Sequence, residues 1–402
     1  MPKGIPAGDT IGQRVKERRE QRHWSVRYLA SRAGYSASMV SQVERGLRSA
    51  NNRYLLADFA AALECSVTDL TGEPFVPADR QLETAHARIN ALRAVLVEAA
   101  PDYPPDADRT PAPMSTVEDL YALAEVRADD YDLSTTTDVL TQVIPDIHAH
   151  ATSGDRRAAE LLVRASFNAV SVFRTLGYPG DALFAAERCR EAARFLDDPV
   201  AMAVADAYRS MASVRGVSHR VGRTIAERAV DALTPHLQED GALEILSILH
   251  LTSAYAAHGQ HRTDDAAAHL DEAEQITART GDGRAWGYFT GPSDVKVWRI
   301  GFEVDAGNPG RAVEIARETP IGQLPTFRQM YAYLDLSRAL SGIRGKERDA
   351  VRALLAAERV APQFTRSNPM ARETARAIAE RARQAAVGTE LRGFCERSGV
   401  PL

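Results

Sequence analysis

The stretch that decides the fold of the first part of this chain is SVRYLASRAGYSASMVSQVERG, residues 25–46. It has the pattern of two short helices, each begun by a serine that can cap the first turn and each followed by a glycine suited to a helix C-terminus. Apolar residues recur on the inner face of both helices. The serines, glycines and apolar residues are Ser25 and Ser36, Gly34 and Gly46, and Leu29, Ala30, Val40 and Val43. This spacing predicts a helix-turn-helix.

The neighbouring residues predict three more helices and a compact unit. Asp9 or Thr10 can cap a helix that precedes the motif, and two short helices are expected at about residues 52–63 and 66–70. We therefore expect an all-α domain of five helices over residues 1–72. The second helix of the motif would offer its short polar N-terminal side chains to a groove about 12 Å wide, the major groove of DNA.

Charge is unevenly distributed along the chain. The 402 residues carry a net charge of -5, but residues 1–72 hold 11 Lys and Arg against 7 Asp and Glu, a net of +4, which leaves -9 for the rest. Such asymmetry indicates that only the N-terminal part meets a polyanion. Double-stranded DNA is the expected partner.

Residues 10–72 resemble the DNA-binding domain of the Cro/CI repressor family, the xenobiotic-response-element type, with a lambda-repressor-like fold. The likeness is carried by Arg14-Val15-Lys16-x-x-Arg19, Leu29-Ala30, Gly34, Ser36, Val40-Ser41-x-Val43-Glu44-Arg45-Gly46 and Leu63-x3-Val67-x2-Leu70. The resemblance implies that Arg19 and Glu44 form a structural bridge between the first helix and the recognition helix. It also implies that Ser36, Ala37, Ser38 and Gln42 face base edges and that Arg53 meets phosphate. Met39, at the start of the same helix, and Arg48 complete the expected DNA-contacting set. Val26 stands where the family often has a phosphate-binding glutamine, and Arg27 is the expected substitute.

Residues 73–116 are expected to be a linker. Prolines discourage helix in residues 73–80, and five prolines make residues 101–116 a long loop. Between them, apolar residues at alternating steps of three and four form a seam from Leu82 to Ala99. A helix that packs on the C-terminal body is the favoured interpretation, and a free coiled coil is the alternative.

Residues 117–402 are predicted to form stacked helical hairpins. Ala182, Ala312 and Ala350 are each predicted to open an Ala-spaced helix, and related helices are expected to start near Ala226 and Ala266. The intervals between these five alanines are 44, 40, 46 and 38 residues. Three of them follow a glycine by five residues, a pattern that resembles tetratricopeptide repeats, although those are usually about 34 residues long. A HEAT-like or irregular α-solenoid is the competing interpretation. Either would serve as a sensor and dimerisation domain with a concave face.

Candidate ligand-binding residues fall into two groups. The run from Trp286 to Trp298 brings aromatic side chains close to Asp294 at an expected helix start. Its Gly291-Pro-Ser-Asp-Val295 resembles a signature of actinobacterial helix-turn-helix regulators with repeat-type C-terminal domains. The second group lies on expected first helices of repeats and consists of Asn168, Tyr208, His250 and Tyr331. Core packing between repeats is the alternative role for both groups.

Other functional classes have little support. His148-x-His150 and His258-x2-His261 have no accompanying cysteine or carboxylate set, so no metal site is expected. No catalytic triad order, P-loop or dinucleotide fingerprint is present, so we expect neither an enzyme nor a cofactor. The three cysteines are isolated, and neither a secretory signal nor an apolar run of about 20 residues occurs, which predicts a cytoplasmic protein with no membrane contact.

One helix-turn-helix reads too few base pairs to discriminate within a genome, so a homodimer on an inverted-repeat operator is expected. The large second region suggests a transcription regulator gated by a peptide or small-molecule effector bound to the repeats. The alternative is a constitutive DNA-binding adaptor whose repeats recruit a protein partner.

Overall fold

The computed structural model describes residues 10–74, 80–101, 103–105, 108–382 and 388–400. The chain folds into two compact units. Unit 1 comprises residues 1–78, 300–321 and 329–402, and unit 2 comprises residues 79–299 and 322–328. The helix-turn-helix segment therefore shares a unit with the C-terminal helices.

The first five helices begin and end where the sequence predicts, because local caps define them. They are α1 (Ile11–Gln21), α2 (Val26–Ala33), α3 (Ala37–Glu44), α4 (Arg53–Ala62) and α5 (Val67–Thr71). The side chains of Thr10, Ser25, Ser36, Asn52 and Ser66 each accept a hydrogen bond from a backbone N–H in the first turn. The expected cap Asp9 lies outside the described residues.

The predicted seam helix is two helices, α6 (Arg80–Ala87) and α7 (Ile89–Glu98), separated at Arg88. Ala85, Ile89, Leu92 and Leu96 are buried, and both helices pack on later helices of unit 2. The packing interpretation is thus confirmed and the free coiled coil is wrong, since the apolar stripe is already covered. The side chain of Leu82 lies outside the described residues.

Helical hairpins follow in unit 2. The helices are α8 (Met114–Asp129), α9 (Leu133–Thr152), α10 (Arg156–Thr175), α11 (Pro179–Arg194), α12 (Pro199–Gly216), α13 (His219–Leu233), α14 (Ala242–His258) and α15 (Thr263–Thr280). They pack pairwise as α8 with α9, α10 with α11, α12 with α13, and α14 with α15, and the first helices of successive pairs also touch. This stacking confirms an all-α fold with a helical-repeat region.

Seven further helices follow in the described part of the chain. They are α16 (Pro292–Asp305), α17 (Pro309–Glu318), α18 (Thr326–Ser341), α19 (Glu347–Val360), α20 (Pro362–Ser367), α21 (Pro369–Ala382) and α22 (Thr389–Ser398). Single turns of 3₁₀ helix occur at Thr234–His236 and Ile321–Gln323. The sequence did not predict the antiparallel hairpin of β1 (Gly283–Ala285) and β2 (Tyr288–Thr290).

The recurrent alanines explain why the hairpins close tightly. Ala182, Ala226, Ala266, Ala312 and Ala350 are all buried. Four of them lie in the first turn of the second helix of a hairpin, but the expected helix start near Ala226 is wrong, because α13 begins at His219 and has Gly222 in its first turn. In the last hairpin, the Ser337 hydroxyl donates to the backbone oxygen of Ala350 at 2.8 Å. In an earlier one, Ser210 donates to the oxygen of Gly222 at 2.7 Å. Small residues at these positions let the two helices approach closely enough for a side chain to reach backbone.

Candidate nucleic-acid interface

The second helix of the motif, α3, is anchored by its inner face and by close contact with α1. Val40 and Val43 are buried. Gly12 of α1 lies so near α3 that a Cβ added to it would stand 2.0 Å from the backbone oxygen of Val43. A glycine is therefore required where these helices cross.

An ion pair fixes the same crossing. Arg19 of α1 donates through Nε to Glu44 Oε1 at 2.6 Å and through Nη2 to Oε2 at 2.9 Å, and both residues are buried. Nη1 also donates to the backbone oxygen of Trp24 at 2.8 Å. The hydrogen bond to Glu44 is the main cause of the raised pKa of Arg19. A bidentate pair of this kind fixes orientation as well as distance.

The outer face of α3 carries the residues expected to read bases. Ser38 is exposed and Gln42 half-buried, and Gln42 Nε2 lies 3.4 Å from Ser38 Oγ. Ala37 and Met39 are half-buried beside them. Ser36 is exposed, but its hydroxyl already accepts from the Met39 N–H as the helix cap. Ser36 is consequently engaged in forming the helix.

The arginines expected at phosphates differ in their surroundings. Arg27 and Arg48 are exposed. Arg53 at the start of α4 is half-buried, and its guanidinium binds the carboxylates of Asp305 at 3.0 Å and Asp335 at 2.8 Å. In this conformation Arg53 is bound to protein carboxylates. Its role at phosphate remains a prediction.

Comparison with known proteins agrees with this geometry. The sequence model of a helix-turn-helix family matches residues 15–70. Residues 15–70 form a helix-turn-helix domain. This domain is similar to the HTH-type transcriptional regulators SinR of Bacillus licheniformis and Bacillus subtilis (strain 168), each 36% identical over 63 residues. The match covers 16% of this chain and 57% of each SinR, so the chain spans little more than half the length of these relatives.

Three of the candidate ligand-binding residues meet in unit 2. Asp294 is fully buried and binds Arg328 at 2.6 Å. The Arg328 guanidinium lies 5.6 Å from the ring centre of Trp298 and 5.2 Å from that of Tyr288. The ring centre of Tyr208 lies 6.5 Å from that of Tyr288. We call these five residues the Arg328 cluster.

Polar groups in the Arg328 cluster are strongly desolvated. Burial raises the pKa of Asp294 to about 6 against the opposing attraction of Arg328. The Tyr288 hydroxyl lies 2.5 Å from Arg328 Nη2. The Tyr208 hydroxyl is buried and has no hydrogen-bond partner within the described part of the chain, while its ring stacks on Phe167 at 3.9 Å. A buried hydroxyl without a hydrogen bond destabilises the folded chain, so a ligand that bonded to it would remove an energetic penalty.

The other candidates have their contacts with residues outside this cluster. The Asn168 amide donates to the Tyr121 hydroxyl at 3.1 Å. His250 Nδ1 lies 3.0 Å from His269 Nδ1, and burial together with this neighbour lowers the pKa of His250 to about 4. Trp286 lies in the turn between β1 and β2 with a positive φ of 53°. Tyr331, in unit 1, packs edge-on against Phe364.

Sequence reasoning missed Arg328 and Asp305 because each pairs with residues far along the chain. Tyr288 lies within the aromatic run from Trp286 to Trp298, so the sequence could have identified it as a candidate. Across the described residues no group of three or more His, Cys, Asp or Glu could hold a metal ion. Among the same residues, no helix combines the length and apolar character required to cross a membrane.

Proposed function

We propose that this chain is a sequence-specific DNA-binding transcription regulator that inserts α3 into the major groove. One observation carries the proposal: α3 is fixed through Val40, Val43 and Glu44, while Ser38 and Gln42 remain on its outer side. A helix held in this way presents side chains at a constant angle to base edges. The helix-turn-helix family match and the similarity to the SinR regulators support the same function.

The test is a selection of bound duplexes from a random pool, followed by substitution of the outer face of α3. Ser38→Ala with Gln42→Ala should lower affinity for the selected site by at least about 30-fold, because two base contacts are lost and each contributes roughly 1–3 kcal/mol. Binding to unrelated DNA should change little, since phosphate contacts dominate it.

Ser31→Ala with Gln21→Ala is the matched control. These residues are of the same types, are exposed, and lie outside α3, on α2 and α1. They should leave the selected site bound as before. An equal loss on every DNA sequence after the α3 substitutions would contradict base reading.

The regulator is proposed to act as a homodimer on an inverted repeat, because two half-sites supply the specificity that one α3 lacks. The acidic composition of residues 73–402 favours contact with another protein chain over contact with DNA.

A peptide or small-molecule effector is proposed to bind near the Arg328 cluster. The buried, unpaired Tyr208 hydroxyl beside a desolvated ion pair supports this placement. To regulate, the effector must bind one conformation more tightly than another. A thermal-shift screen of peptides and metabolites, followed by DNA-binding assays with each hit, tests the proposal. A hit that stabilises the chain without changing operator affinity would favour the alternative, an adaptor whose repeats recruit a protein.

A further inference from the structure

In the segment that joins α3 to α4, residues 49–53, Ser49, Ala50 and Arg53 donate hydrogen bonds to carboxylates of the C-terminal helices. Arg53 donates through Nη1 to Asp305 Oδ2 at 3.0 Å and through Nη2 to Asp335 Oδ1 at 2.8 Å. The Arg53 backbone N–H, in the first turn of α4, donates to Asp305 Oδ1 at 3.1 Å. The Arg53 side chain and the N-terminus of α4 thus both bind the carboxylate of Asp305.

A third carboxylate binds the start of the segment. Glu373 Oε1 accepts from the backbone N–H of Ala50 at 2.8 Å and from the Ser49 hydroxyl at 3.1 Å. We call Asp305 of α16, Asp335 of α18 and Glu373 of α21 the acidic cluster. All three side chains are buried.

The donor set that holds the acidic cluster is the set that binds phosphate in other contexts. Backbone N–H groups at a helix start and an arginine guanidinium both favour oxyanions. Burial works against the charged form of Asp305, but Arg338 and Arg53 outweigh it and hold its pKa below the usual value. Asp305 therefore presents a negative charge to residues 49–53.

We infer that the acidic cluster occupies the phosphate-contacting surface of the helix-turn-helix domain, so that it competes with the DNA backbone for residues 49–53. The contact is autoinhibitory: DNA binds tightly only when Arg53 exchanges Asp305 and Asp335 for phosphate. This inference rests on the proposed DNA-binding function.

The structure supplies a reason why such an exchange is possible. Each carboxylate is also paired with an arginine of the C-terminal helices. Arg338 of α18 binds Asp335 at 2.7 Å and also contacts Asp305. Arg376 of α21 binds Glu373 at 2.5 Å. When residues 49–53 leave, the acidic cluster stays paired, which avoids the large cost of an isolated buried charge.

Arg53 is also the accessible member of the network. Its side chain is 22% exposed, whereas those of Asp305, Asp335 and Arg338 are 2%, 5% and 0% exposed. A phosphate can therefore approach Arg53 while the Arg338 pairs stay in place.

The experiment measures binding of the full chain to its selected DNA site at several salt concentrations, with and without Asp335→Asn. The variant removes the negative charge of Asp335, one of the two carboxylates that bind Arg53, and keeps the shape of the side chain. Affinity should rise about threefold to tenfold, and the slope of log affinity against log salt should steepen by about one unit, as one more phosphate is engaged. Arg53→Gln with Asp335→Asn should abolish the gain.

Asp349→Asn is the matched control, since Asp349 pairs with Lys346 and Arg352 on the surface of α19 and touches none of residues 49–53. Glu373→Gln loosens the segment at its other end without altering Arg53, so it tests the inference even if Asp335→Asn fails to fold. It should also raise affinity.

The outcomes separate the inference from the function on which it rests. Folded variants that bind the site no better than the unmodified chain would overturn autoinhibition and leave DNA binding intact, with the network acting only as a structural joint. Binding of no duplex by the unmodified chain or by either variant would overturn both.

Discussion

Gly12 is the residue on which the crossing of α1 and α3 depends most directly. In an exposed helix, replacing glycine by alanine favours the helix by about 1 kcal/mol. At Gly12 this gain meets a collision with the backbone oxygen of Val43, which cannot rotate away as a side chain would. Packing between α1 and α3 therefore decides whether replacing Gly12 by alanine stabilises or destabilises the domain.

Gly12→Ala should lower the free energy of unfolding by about 1–3 kcal/mol, the usual cost of overpacking. Denaturant unfolding followed by circular dichroism measures the change. Gly180→Ala is the control, because Gly180 lies in α11 and an added Cβ would meet no atom within 4 Å. It should be neutral or mildly stabilising, and equal losses at the two positions would contradict the packing argument.

Two buried ion pairs differ in whether the sequence alone could predict them. Arg19 and Glu44 could be paired in advance because both lie within the motif that carried the resemblance. Arg328 and Asp294 could not, since 34 positions separate them and no local pattern links them. Long-range pairs of this kind depend on how hairpins stack, which a single sequence does not encode in any short window.

Elements whose ends depend on adjacent residues were predictable. The caps of α2, α3 and α5 are serines whose hydroxyls accept from the first turn, and Pro292 begins α16 as expected. The recurrent alanines likewise predicted which helix of each hairpin its partner helix would approach closely.

Elements that depend on tertiary contact were not predictable. The break at Arg88 occurs at a residue that favours helices, so nothing local indicates it. The β1–β2 hairpin is followed by Gly291, where an added Cβ would stand 2.2 Å from Asp282 Oδ1, the atom that accepts from the Ser293 N–H. A close backbone approach of this kind explains the glycine, but only after the fold is known.

At the scale of the whole molecule, charge is unevenly distributed along the chain. The net charge of +4 in residues 1–72 suits a polyanion, and the remaining -9 suits protein or ligand contacts. The described part of the seam, from Ala85 to Ala99, contributes to the interior of unit 2, so its apolar stripe is unavailable for a coiled-coil dimer. A proposed homodimer must therefore use another surface.

Dimeric binding has a geometric consequence for the operator. Two copies of α3 related by a two-fold axis reach the same face of the duplex only when half-site centres lie about 34–36 Å, or 10–10.5 base pairs, apart or at multiples of that distance. The selected DNA should thus be an inverted repeat with that spacing. Inserting about 5 base pairs between its halves should reduce affinity strongly, because the second half-site turns to the opposite face, whereas inserting about 10 should restore part of it. Gel-shift titration of the three duplexes, with sedimentation velocity to count chains on each, makes the measurement. Affinity that is insensitive to spacing, with one chain per duplex, would show that a monomer reads the site and that the repeats serve another purpose.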